Sequence, residues 1–152
     1  MSIRPARPED QEQVLALVTM ILNKEFLADS AAYATDDLEC LTRTYAPPEN
    51  LFLIAEEKGS LVGTCGVKAD GTEAAILRRL FVDPGHRRQG IGENLLKEAL
   101  AFCRRRRFKK VIIRTSGRME QAIRLCRSLG FEEDGSWGMS GVNLVRFRLA
   151  LP

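Results

Sequence analysis

The stretch that most limits what this chain can fold into runs from Leu80 to Leu96, L-F-V-D-P-G-H-R-R-Q-G-I-G-E-N-L-L. An apolar run ends at Val82. Asp83-Pro84-Gly85 then makes a turn, because proline has no amide hydrogen with which to continue a strand. Arg87-Arg88-Gln89-Gly90-Ile91-Gly92 follows, and apolar residues then recur at Ile91, Leu95, Leu96, Ala99, Leu100 and Cys103, the spacing of an amphipathic helix. A strand that passes through a basic, glycine-bearing loop directly into a helix is a layout for binding phosphates. The first turn of a helix leaves backbone N–H groups without partners and carries the positive end of the macrodipole. Gly90 and Gly92 lack the Cβ atoms that would hold a ligand off that backbone, and Arg87 and Arg88 add charge. The spacing is neither the dinucleotide G-x-G-x-x-G nor a P-loop, which needs Lys-Ser/Thr after its second glycine. Taken alone, the same six residues also suit a plain helix-capping turn, so the flanking elements carry the argument.

Those elements read as follows. Ser2 to Ala6 suits a short edge strand. Val14, Leu17, Val18, Ile21 and Leu22 recur at helical spacing. Ala28 to Tyr45 is less regular, with a short helix over Asp36 to Leu41 that Pro47-Pro48 ends. Leu51 to Glu56 and Leu61 to Lys68 are strands joined by a Lys58-Gly59-Ser60 turn, and Asp70-Gly71 turns the chain into a third strand, Ala74 to Val82. A helix over Gly90 to Arg106, a strand over Lys109 to Thr115 and a helix over Arg118 to Leu129 come next. Gly130 closes that last helix. Phe131 to Asp134 begins a strand, Gly135 to Gly141 reads as a loop holding Trp137, and Asn143 to Leu151 is the last strand. No repeat or linker interrupts the 152 residues, so residues 1–152 read as one domain.

Composition narrows the partners. Hydrophobic residues make up 45% and charged residues 28%, ordinary for a globular protein. No apolar run approaches the roughly 18 residues of a spanning helix, and Met1 to Asp10 is polar rather than leader-like. The expectation is a soluble, cytoplasmic protein with no membrane contact. Cys40, Cys65, Cys103 and Cys126 are widely separated and His86 is the only histidine, so no metal site is expected. The net charge of +3 is unevenly spread: Arg78 to Arg118 holds 13 Lys/Arg against three acids, Asp83, Glu93 and Glu98. The chain up to Leu77 is acidic. A basic middle suits an anionic cofactor, and an acidic front suits a cationic substrate or simply solvates its own faces. Arg104 to Arg107 complement the C-terminal end of a helix dipole, and only Phe108 accompanies them, so nucleic acid is not the expected partner.

The loop resembles the R/Q-x-x-G-x-G/A loop of the GNAT superfamily of acyl-CoA-dependent N-acyltransferases, with Arg87, Gly90 and Gly92 in its three defined positions. The segment Ala122-Ile123-Arg124-Leu125-Cys126 through Gly130-Phe131 resembles the family's A-I-x-L-Y-x-x-x-G-F segment, and the element order over nearly the whole chain is also that of the family. The resemblance implies an α/β (α+β) GNAT fold: a mixed, mostly antiparallel sheet of about seven strands, flanked by four helices and splayed between the fourth and fifth strands. It implies acetyl-CoA as co-substrate, without a metal, lying in that splay. The backbone of Leu80, Phe81 and Val82 would hold the pantetheine arm. The pyrophosphate would take the amides from Arg88 through Gln89, Gly90, Ile91 and Gly92 to Glu93, with Arg87 and Arg88 supplying charge.

The implied reaction is acetyl transfer to a primary amine of an unidentified acceptor, by direct attack in a ternary complex, with the Phe81 backbone N–H facing the oxyanion. Two positions depart from the pattern. Cys126 stands where the family usually has the tyrosine that protonates the thiolate; it is either that acid or inert packing, with Tyr33, Tyr45 or solvent as alternatives. Ile76 falls where several members have a glutamate base, and Met119 where many have an asparagine. Asp36, Asp37 and Glu39 lie in the region that lines the family's acceptor site, where they either attract a cationic amine or solvate a helix. These departures keep a second reading open, a catalytically impaired CoA-binding regulatory or partner module. By analogy, the last strand and Trp137 leave room for a homodimer.

Overall fold

The computed structural model describes residues 1–152, with the side chains of all but residues 30–32. Seven strands form one sheet in the order β1-β2-β3-β4-β5-β7-β6: β1 Ser2–Pro5, β2 Leu51–Glu57, β3 Ser60–Asp70, β4 Ala74–Val82, β5 Lys110–Ser116, β6 Glu132–Met139 and β7 Val142–Ala150. Neighbours run antiparallel except β4 and β5, which are parallel. The β2–β3 hairpin turns on Lys58 and Gly59, both at positive φ.

Period-2 patterning gives each central strand two buried faces, and helices cover both. On one face α1 (Gln11–Glu25) buries Val14, Leu17, Val18, Ile21 and Leu22 against Phe52, Ile54 and Phe81. Each such side chain contributes about 1.5–3 kcal/mol when withdrawn from water. The short helix expected near Asp36 is present but broken at Cys40 into α2 (Asp36–Glu39) and α3 (Leu41–Thr44), so five α-helices stand where four helices were expected. Tyr45 follows and lies on β3 over Gly66, where a Cβ would meet its ring at 2.8 Å. On the opposite face, α4 (Ile91–Arg105) and α5 (Glu120–Ser128) enclose the larger core around Leu95, Leu96, Leu100, Cys126 and Phe147. Among the described residues no helix is long and apolar enough to cross a membrane.

One expectation fails. Trp137 is not in a loop: β6 runs unbroken from Glu132 to Met139, and only Ser140 and Gly141, both at positive φ, turn the chain. The strand lies at the sheet edge with every residue exposed. It therefore carries no alternation for a sequence pattern to reveal, and Gly135 and Gly138 imitate loop residues.

Candidate active site

β4 and β5 pair only over Ala74–Leu77 and Lys110–Ile113; from Arg78 onward they part. The parting begins at a bulge. Thr64 faces Phe81 and Gly66 faces Arg78, so Cys65 alone stands opposite Arg79 and Leu80. Arg79 takes a left-handed conformation, φ 58°, which a residue with a Cβ adopts only when its surroundings impose it. Three interactions do so here. Thr64 Oγ1 donates to the Arg79 carbonyl at 2.7 Å. The guanidinium donates to Asp37, from Nη2 at 2.6 Å and Nε at 3.1 Å, and Nη2 also reaches the Ala34 carbonyl.

Two clefts open on either side of the parted strands. The first, of about 580 Å³, is walled by Leu80, Phe81 and Val82, by the glycine loop and by the start of α5. At its base α4 begins from Gly90, whose φ of 78° is the left-handed conformation glycine adopts freely. No side chain caps this end. The first intrahelical bond runs from Asn94 N–H to the Gly90 carbonyl, which leaves the amides of Ile91, Gly92 and Glu93 outside the helix ladder. A Cβ on Gly90 would meet nothing within 4 Å, and one on Gly92 would make ordinary contacts with Val82 and Leu125. The resulting hollow, lined by amides at the positive end of a helix, fits a phosphate.

Arg87 is partly committed. It donates to the Val82 carbonyl at 3.1 Å and closes a two-toothed ion pair on Glu25, at 2.6 and 2.9 Å. Arg88 lines the cleft at a φ of 63°, whereas Gln89 is exposed and outside the lining. Arg118 lies at the far lip, 3.8 Å from the buried Asp29 carboxylate, which also accepts from Ser116 Oγ at 2.6 Å.

The second cleft, of about 470 Å³, opens toward the α1–α2 segment and β6, between Tyr33, Ile76, Arg78, Arg114, Trp137 and Met139. Leu80, Phe81, Met119 and Ala122 line both clefts, so the two spaces meet at the bulge. Tyr33 stands beside that junction. Its hydroxyl accepts from the Ser116 N–H at 2.7 Å and donates to Met119 Sδ at 3.6 Å. Burial pushes the phenol above its ordinary pKa, so it is neutral at physiological pH.

Cys126 was expected either as the thiolate's acid or as packing. Cys126 is wholly buried in the core under α5 and lines neither cleft; burial pushes its thiol up to about 11. The α5 residues that line the first cleft are Glu120, Gln121, Ala122, Arg124 and Leu125. Tyr45 donates to Asp37 at 2.6 Å and is committed there. Asp37 is thereby sealed between Tyr45 and Arg79, while Asp36 and Glu39 are exposed and outside the second cleft. Sequence reasoning missed Glu25, Asp29, Arg79 and Arg118, whose partners lie tens of residues away.

A sheet splayed between its one parallel pair, with a helix N-terminus on one side of the gap, is the arrangement that the sequence resemblance implies. The chain belongs to the acetyltransferase (GNAT) family, whose model matches residues 16–131. It is similar to the probable N-acetyltransferase family 8 member 5 of Mus musculus, 29% identical over 88% of this chain and 60% of that protein. It is also similar to an uncharacterized N-acetyltransferase of Schizosaccharomyces pombe, 28% identical over 95% and 90% of the two chains. The chain spans 56% to 64% of the length of three rodent family 8 relatives that it matches. In fold it is similar to a GNAT-family acetyltransferase of Staphylococcus aureus, TM-score 0.86 at 21% identity over 99% of both chains. It likewise resembles a putative acetyltransferase of Salmonella typhimurium solved with its cofactor acetyl-CoA, TM-score 0.82 at 19% identity over 99% and 94%.

Proposed function

We propose that this chain transfers the acetyl group of acetyl-CoA to a primary amine by direct attack within a ternary complex. The observation that carries the reading is the meeting of two clefts at Leu80, Phe81, Met119 and Ala122. Bound acetyl-CoA supplies the activated thioester. The amides of Ile91, Gly92 and Glu93 hold the pyrophosphate, with Arg88 and Arg118 adding charge. The backbone of β4 from Leu80 to Val82, which β5 does not pair, is free to hold the pantetheine arm as an added strand would. Strand alternation turns the Phe81 amide toward Thr64 on β3. The amides of Leu80 and Val82 therefore face the gap and are the donors for the charge that grows on the thioester oxygen. An amine entering through the second cleft meets the carbonyl at the bulge, and placement supplies much of the rate. Tyr33 protonates the departing thiolate. Its hydroxyl hydrogen is spent on a thioether, a weak acceptor, and a thiolate is a stronger one.

A second reading has its own observation. The family's acid and base positions are Cys126, sealed in the core, and Ile76, apolar, which suits a module that binds CoA without turnover. Incubation with acetyl-CoA and a panel of amines separates the two readings, following thiol release together with the mass of the acetylated amine. Stoichiometric thiol and acetyl-amine support catalysis. Tight acetyl-CoA binding with neither product supports the module.

A further inference from the structure

The second cleft does not have the charge that the acidic N-terminal half suggests. Ile76 on β4 is the parallel partner of Ile112 on β5. Two residues further on, strand alternation places Arg78 and Arg114 on the same face of the sheet, where the strands part. Arg146 on β7 is the partner of Arg114, and Arg148 the partner of Ile112, so the basic row extends across three strands. Its outer half is compensated: Asp134 lies 3.3 Å from Arg146 and 4.0 Å from Arg148. Its inner half is not closed by an ion pair, although Arg78 lies near enough to Asp37 to help hold its pKa down. Arg78 and Arg114 line the cleft, and among the described residues neither has a carboxylate at ion-pair distance.

A third guanidinium points the same way. Arg79 also lines the cleft and is 8% exposed. Its Nε and Nη2 are spent on Asp37 and Ala34, while Nη1 is buried with no partner among the described residues. A buried guanidinium donor without an acceptor is costly unless something completes it. No Asp or Glu lines this cleft, and its outer wall is Trp137, Met139 and Leu144. Trp137 and Met139 are exposed.

We propose that the acceptor amine also carries a carboxylate and an apolar substituent. The carboxylate is held by Arg78 and Arg114, and the apolar group lies along Trp137 and Met139. This inference rests on the reading of the second cleft as the acceptor site. Forked guanidinium groups match a carboxylate geometrically, and two like charges held side by side are relieved by an anion between them. A site built to bond a substrate group discriminates strongly against an analogue that lacks it.

The test uses the full chain with acetyl-CoA and three acceptors: phenylalanine, phenylalaninamide, and the dipeptide Phe-Asp amidated at its C-terminus. The last two lack the α-carboxylate, and the dipeptide restores a carboxylate one residue away, so the arms separate a free amino acid from an acidic peptide. The expected result is a kcat/KM at least about tenfold higher for a carboxylate-bearing acceptor than for phenylalaninamide. In the R78Q/R114Q double variant that ratio collapses toward one through a higher KM, with acetyl-CoA affinity retained. With acetyl-CoA bound, equal or better use of the amide overturns the proposal. So does the absence of acetylation of either acid together with no binding of N-acetylphenylalanine to the CoA-loaded protein. Failure to bind acetyl-CoA at all overturns the underlying function instead.

Discussion

Arg79 and Asp37 face each other at the bulge of β4, with Nη2 2.6 Å and Nε 3.1 Å from the two carboxylate oxygens and both side chains almost wholly buried. The pair ties α2 to the residue whose left-handed backbone opens the sheet. The wall of the second cleft and the gap between the strands are therefore tied to this buried pair, together with the Thr64 and Ala34 contacts.

Removing one partner leaves a buried charge without compensation. Asp37→Ala is expected to cost about 3–5 kcal/mol, lowering the thermal midpoint by roughly 6–20 °C. A double variant, Asp37→Leu with Arg79→Met, is expected to lose less than the single one, because it leaves no orphaned guanidinium. Urea unfolding of the three proteins checks both statements. A loss below about 1 kcal/mol in Asp37→Ala contradicts the role given to the pair.

Acid should weaken the fold through two carboxylates. Burial by itself raises the Asp37 pKa, but the hydrogen bonds from Arg79 and Tyr45 outweigh it and hold the group below the usual range. The Arg4 fork, at 2.8 and 3.0 Å, does the same for Asp10, helped by the Arg7 amide. Both contribute in full above the unfolded value of about 3.9 and lose their contribution as pH falls through the lowered folded values. The urea midpoint is expected to be flat from pH 7 to about 5 and to fall steeply below about pH 4, less steeply in Asp10→Asn.

The four thiols should divide one against three. Cys40 is exposed, whereas Cys65, Cys103 and Cys126 are buried, with burial pushing Cys103 up to about 12 and Cys126 up to about 11. A thiol reagent is expected to label only Cys40 in the native protein and all four in denaturant. Cys126→Ala should leave acetyl transfer within about twofold and cost about 1 kcal/mol for the small void. A large loss of kcat at unchanged stability would return Cys126 to the chemistry.

Tyr33→Phe removes the acceptor of the Ser116 amide, at an expected cost of about 1–3 kcal/mol. As the thiolate's proton donor, Tyr33 should also be worth about 100-fold in kcat, with acetyl-CoA affinity unchanged. Steady-state rates beside calorimetric binding check this, and an unchanged kcat contradicts the assignment.

The order of elements and the glycine loop that opens α4 were legible because both are written locally: in apolar alternation, in helical spacing, and in glycines at the mouth of α4. The bulge was not. Its left-handed residue is an arginine rather than a glycine, imposed by Thr64 and Asp37 from elsewhere in the chain. Nor can spacing reveal that Arg87 pairs with Glu25, 62 positions earlier. The turn of α5 that hides Cys126 was equally hidden, because Ala122, Ile123, Cys126 and Leu129 read as one stripe while only Cys126 is fully buried. The acidic front half misled most. Its carboxylates are committed to Arg4, Arg79, Arg87 and Arg118 or face solvent, and the second cleft is lined by arginines.

The account depends most on the mouth of α4, and the most direct measurement is thermal unfolding with and without acetyl-CoA, in the parent and in Gly92→Glu. A Cβ at Gly92 makes only ordinary contacts with Val82 and Leu125, so the variant is expected to fold while its carboxylate sets a negative charge beside the amides at the mouth of α4. At 100 times its dissociation constant the ligand should add about 2.7 kcal/mol to the parent, a rise of roughly 5–11 °C. The account predicts that rise in the parent and its loss in Gly92→Glu. Equal rises in both proteins, or none in the parent at saturating acetyl-CoA, contradict it.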